Sequence, residues 1–179
     1  MSLSARLKVK LASIILRHRR FNRWAHKQLP TKRMAAGVTF FNDAGRLLVV
    51  KPSYRTAWLI PGGIVERDES PWSAARREVM EEIGLDVDQL RLTAVDWRAG
   101  DDEFNESLHF LFDGGMLSKD REGAIRCDGI EIIDHRFVTR DEAKSLLEPH
   151  LGLRVITFWD QASDQPLVMT SGVPDPDFS

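Results

Sequence analysis

The chain has 179 residues, of which 42% are hydrophobic and 29% charged, a composition typical of one globular domain with a buried core. Its single cysteine, Cys127, excludes a disulfide framework and favours a reducing compartment, most simply the cytoplasm. No apolar run approaches the roughly 20 residues that a membrane-spanning helix requires.

The formal net charge of −2 is divided unevenly along the chain. Residues 1–33 carry ten Lys and Arg and no acidic residue, so this segment has a charge of +10 and the remainder −12. An acidic body does not suit a general nucleic-acid-binding protein. We therefore expect no stable nucleic-acid partner.

The first predicted element is a basic amphipathic helix over residues 3–27, where apolar residues recur three or four positions apart. Pro30 ends it, and residues 1–33 are assigned to this helix and a linker. Three roles remain open: packing on protein, binding to an anionic membrane surface, and an organelle transit peptide. The narrow apolar stripe and the opposite charges of the two segments favour packing on protein, within a homodimer. Membrane-surface contact through residues 1–28 is the less favoured alternative.

The segment after residue 33 alternates strand and helix patterns. Short apolar runs separated by turn residues predict strands over 36–41, 47–50, 58–60, 90–97, 107–113 and 132–138. Ser70 and Pro71 are a strong helix start and Gly84 a helix stop, so a helix is predicted over 71–83. Further helices are predicted over 140–147 and 149–159. We therefore predict an α/β domain with a mixed sheet over residues 34–170, followed by a flexible tail over 171–179.

Three glutamates on the helix over 71–83 carry the clearest chemical signal. At about 100° per residue, Glu78, Glu81 and Glu82 fall within an arc of roughly 100° on one helix face. Carboxylates so close together repel one another unless a cation lies among them, and Mg²⁺ prefers such oxygen ligands. Gly63, which lies before the helix, lets the backbone approach closely and offers a carbonyl oxygen. Three such glutamates alone would more often form a solvated acidic helix face, but with Gly63, Glu69 and Arg77 all in place the sequence predicts a site for Mg²⁺, with Mn²⁺ as an alternative.

Residues 63–85 also carry a complete motif: Gly63, then Glu69 after five residues, then Arg77-Glu78-Val79-Met80-Glu81-Glu82-Ile83-Gly84-Leu85 after seven. This segment resembles the Nudix box, G-x5-E-x7-R-E-U-x-E-E-x-G-U with U aliphatic, at every specified position. The resemblance implies a Nudix-type α/β/α sandwich over about residues 34–160, and it does not extend to residues 1–33. Asp68 stands where many members have glycine, and Asp tolerates the left-handed backbone better than most residues.

The resemblance also implies roles for the matching residues. Glu78 and Glu82 correspond to the principal metal ligands. Glu69 and Arg77 correspond to a pair that orders the loop and helix and supports those ligands. Glu81 is either the third metal ligand or the general base.

In several members of the family the base lies outside the box, on a later loop. In this chain the loop Asp128-Gly129-Ile130-Glu131 offers Glu131 for that role, although loop acids are more often simply solvated.

The activity implied by the resemblance is hydrolysis of a phosphoanhydride in a nucleoside diphosphate linked to another moiety, X. The partner would then be a nucleotide-type small molecule bound with Mg²⁺. The alternative is a Nudix-fold module that binds or senses a nucleotide without turnover. The intact set of Glu78, Glu81 and Glu82 argues against that alternative, because a pure binding module does not need clustered metal-binding carboxylates.

Overall fold

The computed structural model describes residues 29, 31–100, 105–161 and 165–178, and Lys32–Ser179 form one compact unit. The basic helix predicted over residues 3–27 lies outside the described residues. Among the residues that are described, no helix is long and apolar enough to cross a membrane.

The described residues build one mixed sheet of eight strands. The strands are β1 (Arg33–Asn42), β2 (Leu47–Pro52), β3 (Gly62–Ile64), β4 (Arg91–Arg98), β5 (Ser107–Leu117), β6 (Ile132–Val138), β7 (Leu167–Thr170) and β8 (Val173–Pro174). Their order across the sheet is β6-β2-β1-β5-β4-β7-β8, with β3 paired to β1 beside this path. The pairs β1–β5 and β4–β7 are parallel and the other pairs are antiparallel.

The helices are α1 (Pro71–Ile83), α2 (Lys119–Ala124), α3 (Arg140–Leu146) and α4 (Pro149–Asp160), and Pro176–Phe178 form a 3-10 turn. The predicted bounds of α1 are confirmed. The Ser70 side chain caps its first turn by accepting a hydrogen bond from the Ser73 N–H, and Gly84 ends it in the left-handed conformation with φ 68°.

Both faces of the sheet are buried, which explains why β1 and β2 read as continuous apolar runs. On one face Phe40 and Val50 pack with Val79 and Ile83 of α1. On the other face lies a second cluster made with α3 and α4: Leu47, Val49, Leu111, Ala143, Val155 and Phe158. The predicted α/β/α sandwich with a mixed sheet is therefore confirmed.

The strand predicted over residues 58–60 is wrong. Leu59 exchanges hydrogen bonds with Val50, but Trp58 pairs with Leu147, which lies in the connection between α3 and α4. Because the segment changes partner after one residue, it forms two isolated bridges and no ladder. The paired strand β3 begins instead at Gly62.

The end of the chain also differs from the flexible tail predicted over 171–179. Residues Val173–Pro174 pair antiparallel with β7, and the Asp175 N–H donates to the Val168 carbonyl oxygen. Ser171 and Gly172 make the connecting turn with φ 55° and 82°. This hairpin is too short to leave a recognisable alternation in the sequence.

A buried ion pair joins three parts of this fold. Asp96 on β4 is fully buried and accepts hydrogen bonds from Arg154 Nε at 2.8 Å and from the Gly172 N–H at 2.9 Å. Arg154 Nη2 lies 2.7 Å from the same carboxylate. The pair therefore fastens α4 and the turn before β8 to the middle of the sheet.

We expect Asp96→Asn to lower the free energy of unfolding by about 3 kcal/mol, because the buried Arg154 guanidinium then has no opposite charge. Urea unfolding monitored by far-ultraviolet circular dichroism measures this loss. Asp88→Asn is the matched control, since its carboxylate is 88% exposed and makes one long contact with Arg76. A loss for Asp96→Asn no larger than that of the control would contradict the assignment.

His109 lies on β5 directly opposite Asp96, with its Nε2 2.9 Å from Ser107 Oγ. Its pKa is lowered to about 4, first because it is desolvated and then because the positive charges of Arg154, Arg98 and Arg33 lie near it; Asp96 opposes the shift.

This shift predicts a pH-dependent loss of stability. Between pH 6.5 and about 4 the unfolded chain binds a proton at His109 that the folded chain does not, so stability falls as the pH is lowered through this window. From pH 7 to pH 4.5 the cost is about 2 kcal/mol, and His109→Gln should remove it. Denaturant titrations at both pH values measure the difference, with exposed His150→Gln as the control. An unchanged pH dependence in His109→Gln would refute the prediction.

Candidate active site

A cavity of about 800 Å³ opens beside the N-terminal half of β1. Five of the predicted site residues line it: Gly63, Arg77, Glu78, Glu81 and Glu131. The other two, Glu69 and Glu82, lie behind this wall and are hydrogen-bonded to lining residues. The structure therefore brings together residues that are up to 68 positions apart in the sequence.

The glycine pair at the start of β3 sets the distance between sheet and helix. Gly62 and Gly63 pair with Gly37 and Ala36 of β1. A Cβ at position 62 would lie 2.2 Å from the Ala36 carbonyl oxygen, and Gly62 has a φ of 145° that favours glycine. A Cβ at position 63 would lie 2.4 Å from Glu78 Oε1. The absent side chain at 63 thus leaves the space in which the Glu78 carboxylate lies.

Glu82 is the most buried carboxylate of the site, with 5% of its surface exposed. Its Oε2 accepts a hydrogen bond of 2.8 Å from the Gly62 N–H. Its pKa is raised to about 8, first by burial and then by the negative charges of Glu78, Glu131 and Asp128, while the hydrogen bond from Gly62 opposes the shift.

Glu78 is half-buried, and burial raises its pKa also, although the hydrogen bond from Arg77 opposes the shift. Glu81 and Glu131 add negative charge around it. This end of the cavity therefore disfavours full ionisation of its carboxylates unless further positive charge is present.

Arg77 is the cation that Glu69, Glu78 and Glu81 contact. Its Nε and Nη2 each lie 3.0 Å from one oxygen of Glu69, and its Nη1 donates to Glu78 Oε1 at 2.8 Å and to Glu81 Oε2 at 3.0 Å. Nη2 also donates to the Ile64 carbonyl oxygen. The bidentate bond lowers the pKa of Glu69 and ties the loop to α1.

The turn before Glu69 adopts the expected backbone. Asp68 has φ 63°. This is the left-handed conformation expected at a position where many Nudix proteins have glycine. The Glu66 N–H donates to Glu69 Oε2 at 3.0 Å, so the loop is closed on the carboxylate that Arg77 holds.

Within the described part of the chain, no three His, Cys, Asp or Glu side chains converge on one point as in a formed metal centre. The reason is visible in the contacts, since Glu78 and Glu81 turn to Arg77 while Glu82 turns to Gly62. The donor set still fits a hard divalent cation, because it offers several carboxylate oxygens beside the backbone of Gly63, which has no side chain.

Glu131 lies on the loop before β6 and lines the same cavity. Asp128 orders this loop by accepting hydrogen bonds from the Glu131 N–H at 3.0 Å and the Ile132 N–H at 2.7 Å. Tyr54 Oη lies 3.4 Å from Glu131 Oε1. Tyr54 and Glu131 are separated by 77 residues, and no local pattern in the sequence signals their contact.

Two curated relatives match a central part of this chain. A MutT-like protein of Streptomyces ambofaciens is 43% identical over 60 residues, which are 34% of this chain and 38% of that protein. An RNA pyrophosphohydrolase of Pseudomonas putida is 38% identical over 58 residues, covering 32% and 36% of the two chains. The matched region thus spans little more than a third of either relative.

Solved structures share the fold over a larger part of the chain. A MutT protein from Methanosarcina mazei superimposes with a TM-score of 0.61 at 20% identity, covering 77% of this chain and all of that one. At this identity the likeness concerns the fold alone. The family model for the NUDIX domain matches residues 31–158, which include strands β1 to β6, α1 and the residues that line the cavity. This chain therefore belongs to the Nudix family.

Proposed function

We propose that the protein is a Mg²⁺-dependent Nudix hydrolase, a pyrophosphohydrolase that cleaves the phosphoanhydride of a nucleoside diphosphate linked to a moiety X. The observation that carries the proposal is the group of carboxylates beside the glycine backbone of β3: Glu78, Glu81 and Glu131 line the cavity, and Glu82 is bonded to the Gly62 N–H. The hydrolase names of the MutT-like and RNA pyrophosphohydrolase relatives support it.

In this proposal Glu78, Glu82 and the Gly63 carbonyl hold the metal, with Glu81 as a further ligand. Mg²⁺, or Mn²⁺ in its place, would neutralise charge on the diphosphate oxygens and favour attack by water at phosphorus. Glu78 and Glu81 each bond Arg77 Nη1 through one carboxylate oxygen, which leaves the other oxygen of each for the metal, while Glu69 keeps the guanidinium in place through its two hydrogen bonds.

Glu131 is the better placed of the two proposed general bases. The Glu81 carboxylate is already engaged by Arg77 Nη1, which lies 3.0 Å from its Oε2. Glu131 has only a long contact with the Tyr54 hydroxyl among the described side chains, and it faces the same cavity. We propose that Glu131 accepts the proton of the attacking water.

The compartment and the oligomeric state stay as predicted from the sequence: the cytoplasm and a homodimer.

The nucleotide-type substrate is part of the same proposal. A panel of nucleoside triphosphates, ADP-ribose, nucleotide sugars, CDP-alcohols and dinucleoside polyphosphates, assayed with Mg²⁺, tests it. Hydrolysis of none, together with micromolar binding of one, would instead favour the alternative of a binding module.

We expect Glu82→Gln to lower kcat by at least about 100-fold, because it removes a proposed metal ligand. Its free energy of unfolding should be unchanged or higher, because a neutral amide in this buried position ends the repulsion with Glu78 and can still accept the Gly62 hydrogen bond. Steady-state hydrolysis and urea unfolding measure the two effects.

Glu122→Gln is the matched control, since Glu122 lies on α2 outside the cavity lining and pairs only with Lys119 among the described side chains. This control should keep normal activity. Near-normal hydrolysis by Glu82→Gln would show that the metal-site proposal is wrong.

The two proposed bases predict different defects. Glu131→Gln should lower kcat at least about 100-fold while leaving Mn²⁺ affinity within about two-fold, because it removes a proton acceptor and no ligand. Glu81→Gln should weaken Mn²⁺ binding several-fold. Electron paramagnetic resonance of free Mn²⁺ measures affinity independently of turnover, and the reversed pattern would assign the base to Glu81.

A further inference from the structure

Two loops meet at the cavity, one that follows β2 and one that precedes β6. Pro52 and Ile132 form the last register pair of these two antiparallel strands. One residue further along, the Ser53 N–H donates to the Glu131 carbonyl oxygen at 2.8 Å, so the pairing continues beyond the ladder. The two loops therefore leave the same end of the sheet side by side, which makes Tyr54 a neighbour of Glu131.

Further hydrogen bonds hold the backbone of both loops. In the first loop, Lys51 Nζ donates to the Arg55 carbonyl oxygen at 2.9 Å. In the second loop, the Asp128 carboxylate accepts the Glu131 N–H at 3.0 Å. The backbone is thus fixed on each side of the contact between Tyr54 and Glu131, and what remains to be positioned is the Glu131 side chain.

The Tyr54 side chain joins the two loops. Its hydroxyl lies 3.4 Å from Glu131 Oε1, and both residues line the cavity. The Arg55 guanidinium lies over the Tyr54 ring, 5.4 Å from the ring centroid, which favours one position of the ring. The pKa of Tyr54 is raised, first by burial and then by the negative charges of Glu131 and Glu82, while Arg55 opposes the shift. The hydroxyl therefore keeps its proton at neutral pH and can donate it to the carboxylate in a hydrogen bond.

We propose that Tyr54 is a positioning residue for the general base: its hydroxyl holds Oε1 of Glu131 and leaves Oε2 free to accept the proton of the attacking water. A glutamate side chain in a loop otherwise samples several rotamers, so a bond to one oxygen reduces this freedom before the reaction. Tyr54 keeps its own proton throughout. The inference rests on the proposed function, which assigns the proton transfer to Glu131.

The absorbance of the tyrosine tests the contact without metal or turnover. Tyr54 is the only tyrosine of the chain, so the tyrosinate absorbance that appears on alkaline titration reports this hydroxyl alone. In the metal-free, full-length protein, Glu131→Gln should move the midpoint of the titration to lower pH, because it removes the negative charge beside the hydroxyl. Far-ultraviolet circular dichroism checks at each pH that the protein stays folded.

Glu122→Gln is the matched control for the titration, because Glu122 lies on α2 outside the cavity lining. This control should leave the midpoint unchanged. The same midpoint in the wild type and in Glu131→Gln would overturn the contact, and with it the inference.

Turnover tests whether the contact positions the base. Tyr54→Phe keeps the ring and removes only the hydroxyl, so kcat should fall about five-fold while KM and Mn²⁺ affinity change less than about two-fold. In the Glu131→Gln background the same substitution should change kcat less than about two-fold, because no base remains to be positioned. Thr170→Val is the matched control and should keep normal kcat, since the Thr170 hydroxyl also donates to an exposed carboxylate, that of Asp175, outside the cavity lining.

The outcomes separate this inference from the proposed function. If the wild type hydrolyses a substrate, a normal kcat in Tyr54→Phe would overturn the inference. So would an equal five-fold fall in the Glu131→Gln background, because the effect would then not act through Glu131. A rise in KM alone would overturn it too and assign Tyr54 to substrate binding. Hydrolysis of no substrate by the wild type would instead overturn the proposed function and this role with it, while the titration would still decide whether the two side chains are in contact.

Discussion

The guanidinium of Arg77 is the interaction on which the site depends. Five hydrogen bonds from this one group reach the loop at Glu69, the strand β3 at Ile64 and two glutamates of its own helix. Because an arginine side chain stays protonated, it offsets part of the repulsion among these acids in the absence of metal. The same group binds one oxygen of Glu78 and one of Glu81, so the framework that holds these two carboxylates is formed without a metal.

Local signals in the sequence were sufficient to predict the secondary-structure elements that carry the site. Ser70 and Gly84 are residues with strong capping preferences, and they define α1 at both ends as predicted. Apolar runs bounded by turn residues likewise gave β6 its correct bounds. Because Glu78, Glu81 and Glu82 lie on one helix, their proximity follows from helical geometry alone and needs no knowledge of the fold.

Features that depend on distant pairing could not be predicted in this way. Asp96 and Arg154 are 58 residues apart, and they meet because α4 packs on the face of the sheet that carries Asp96. A buried ion pair leaves no periodic trace, so in the sequence both residues resemble solvated charges. The short helix α2 was also not predicted from the sequence. In this case a local signal was present, because Ser118 is a residue that favours the N-cap position.

The two glycines of β3 are intolerant of side chains for unrelated reasons. At position 62 a Cβ would meet the backbone oxygen of Ala36, which cannot move without breaking strand pairing. At position 63 it would meet the end of the Glu78 side chain, which can rotate away and leave the fold intact. Every single-base change in a glycine codon that still encodes another amino acid adds a Cβ. Genetic selection for protein abundance would thus purge variants at 62 and retain those at 63, whereas selection for growth on the product of the reaction would purge both.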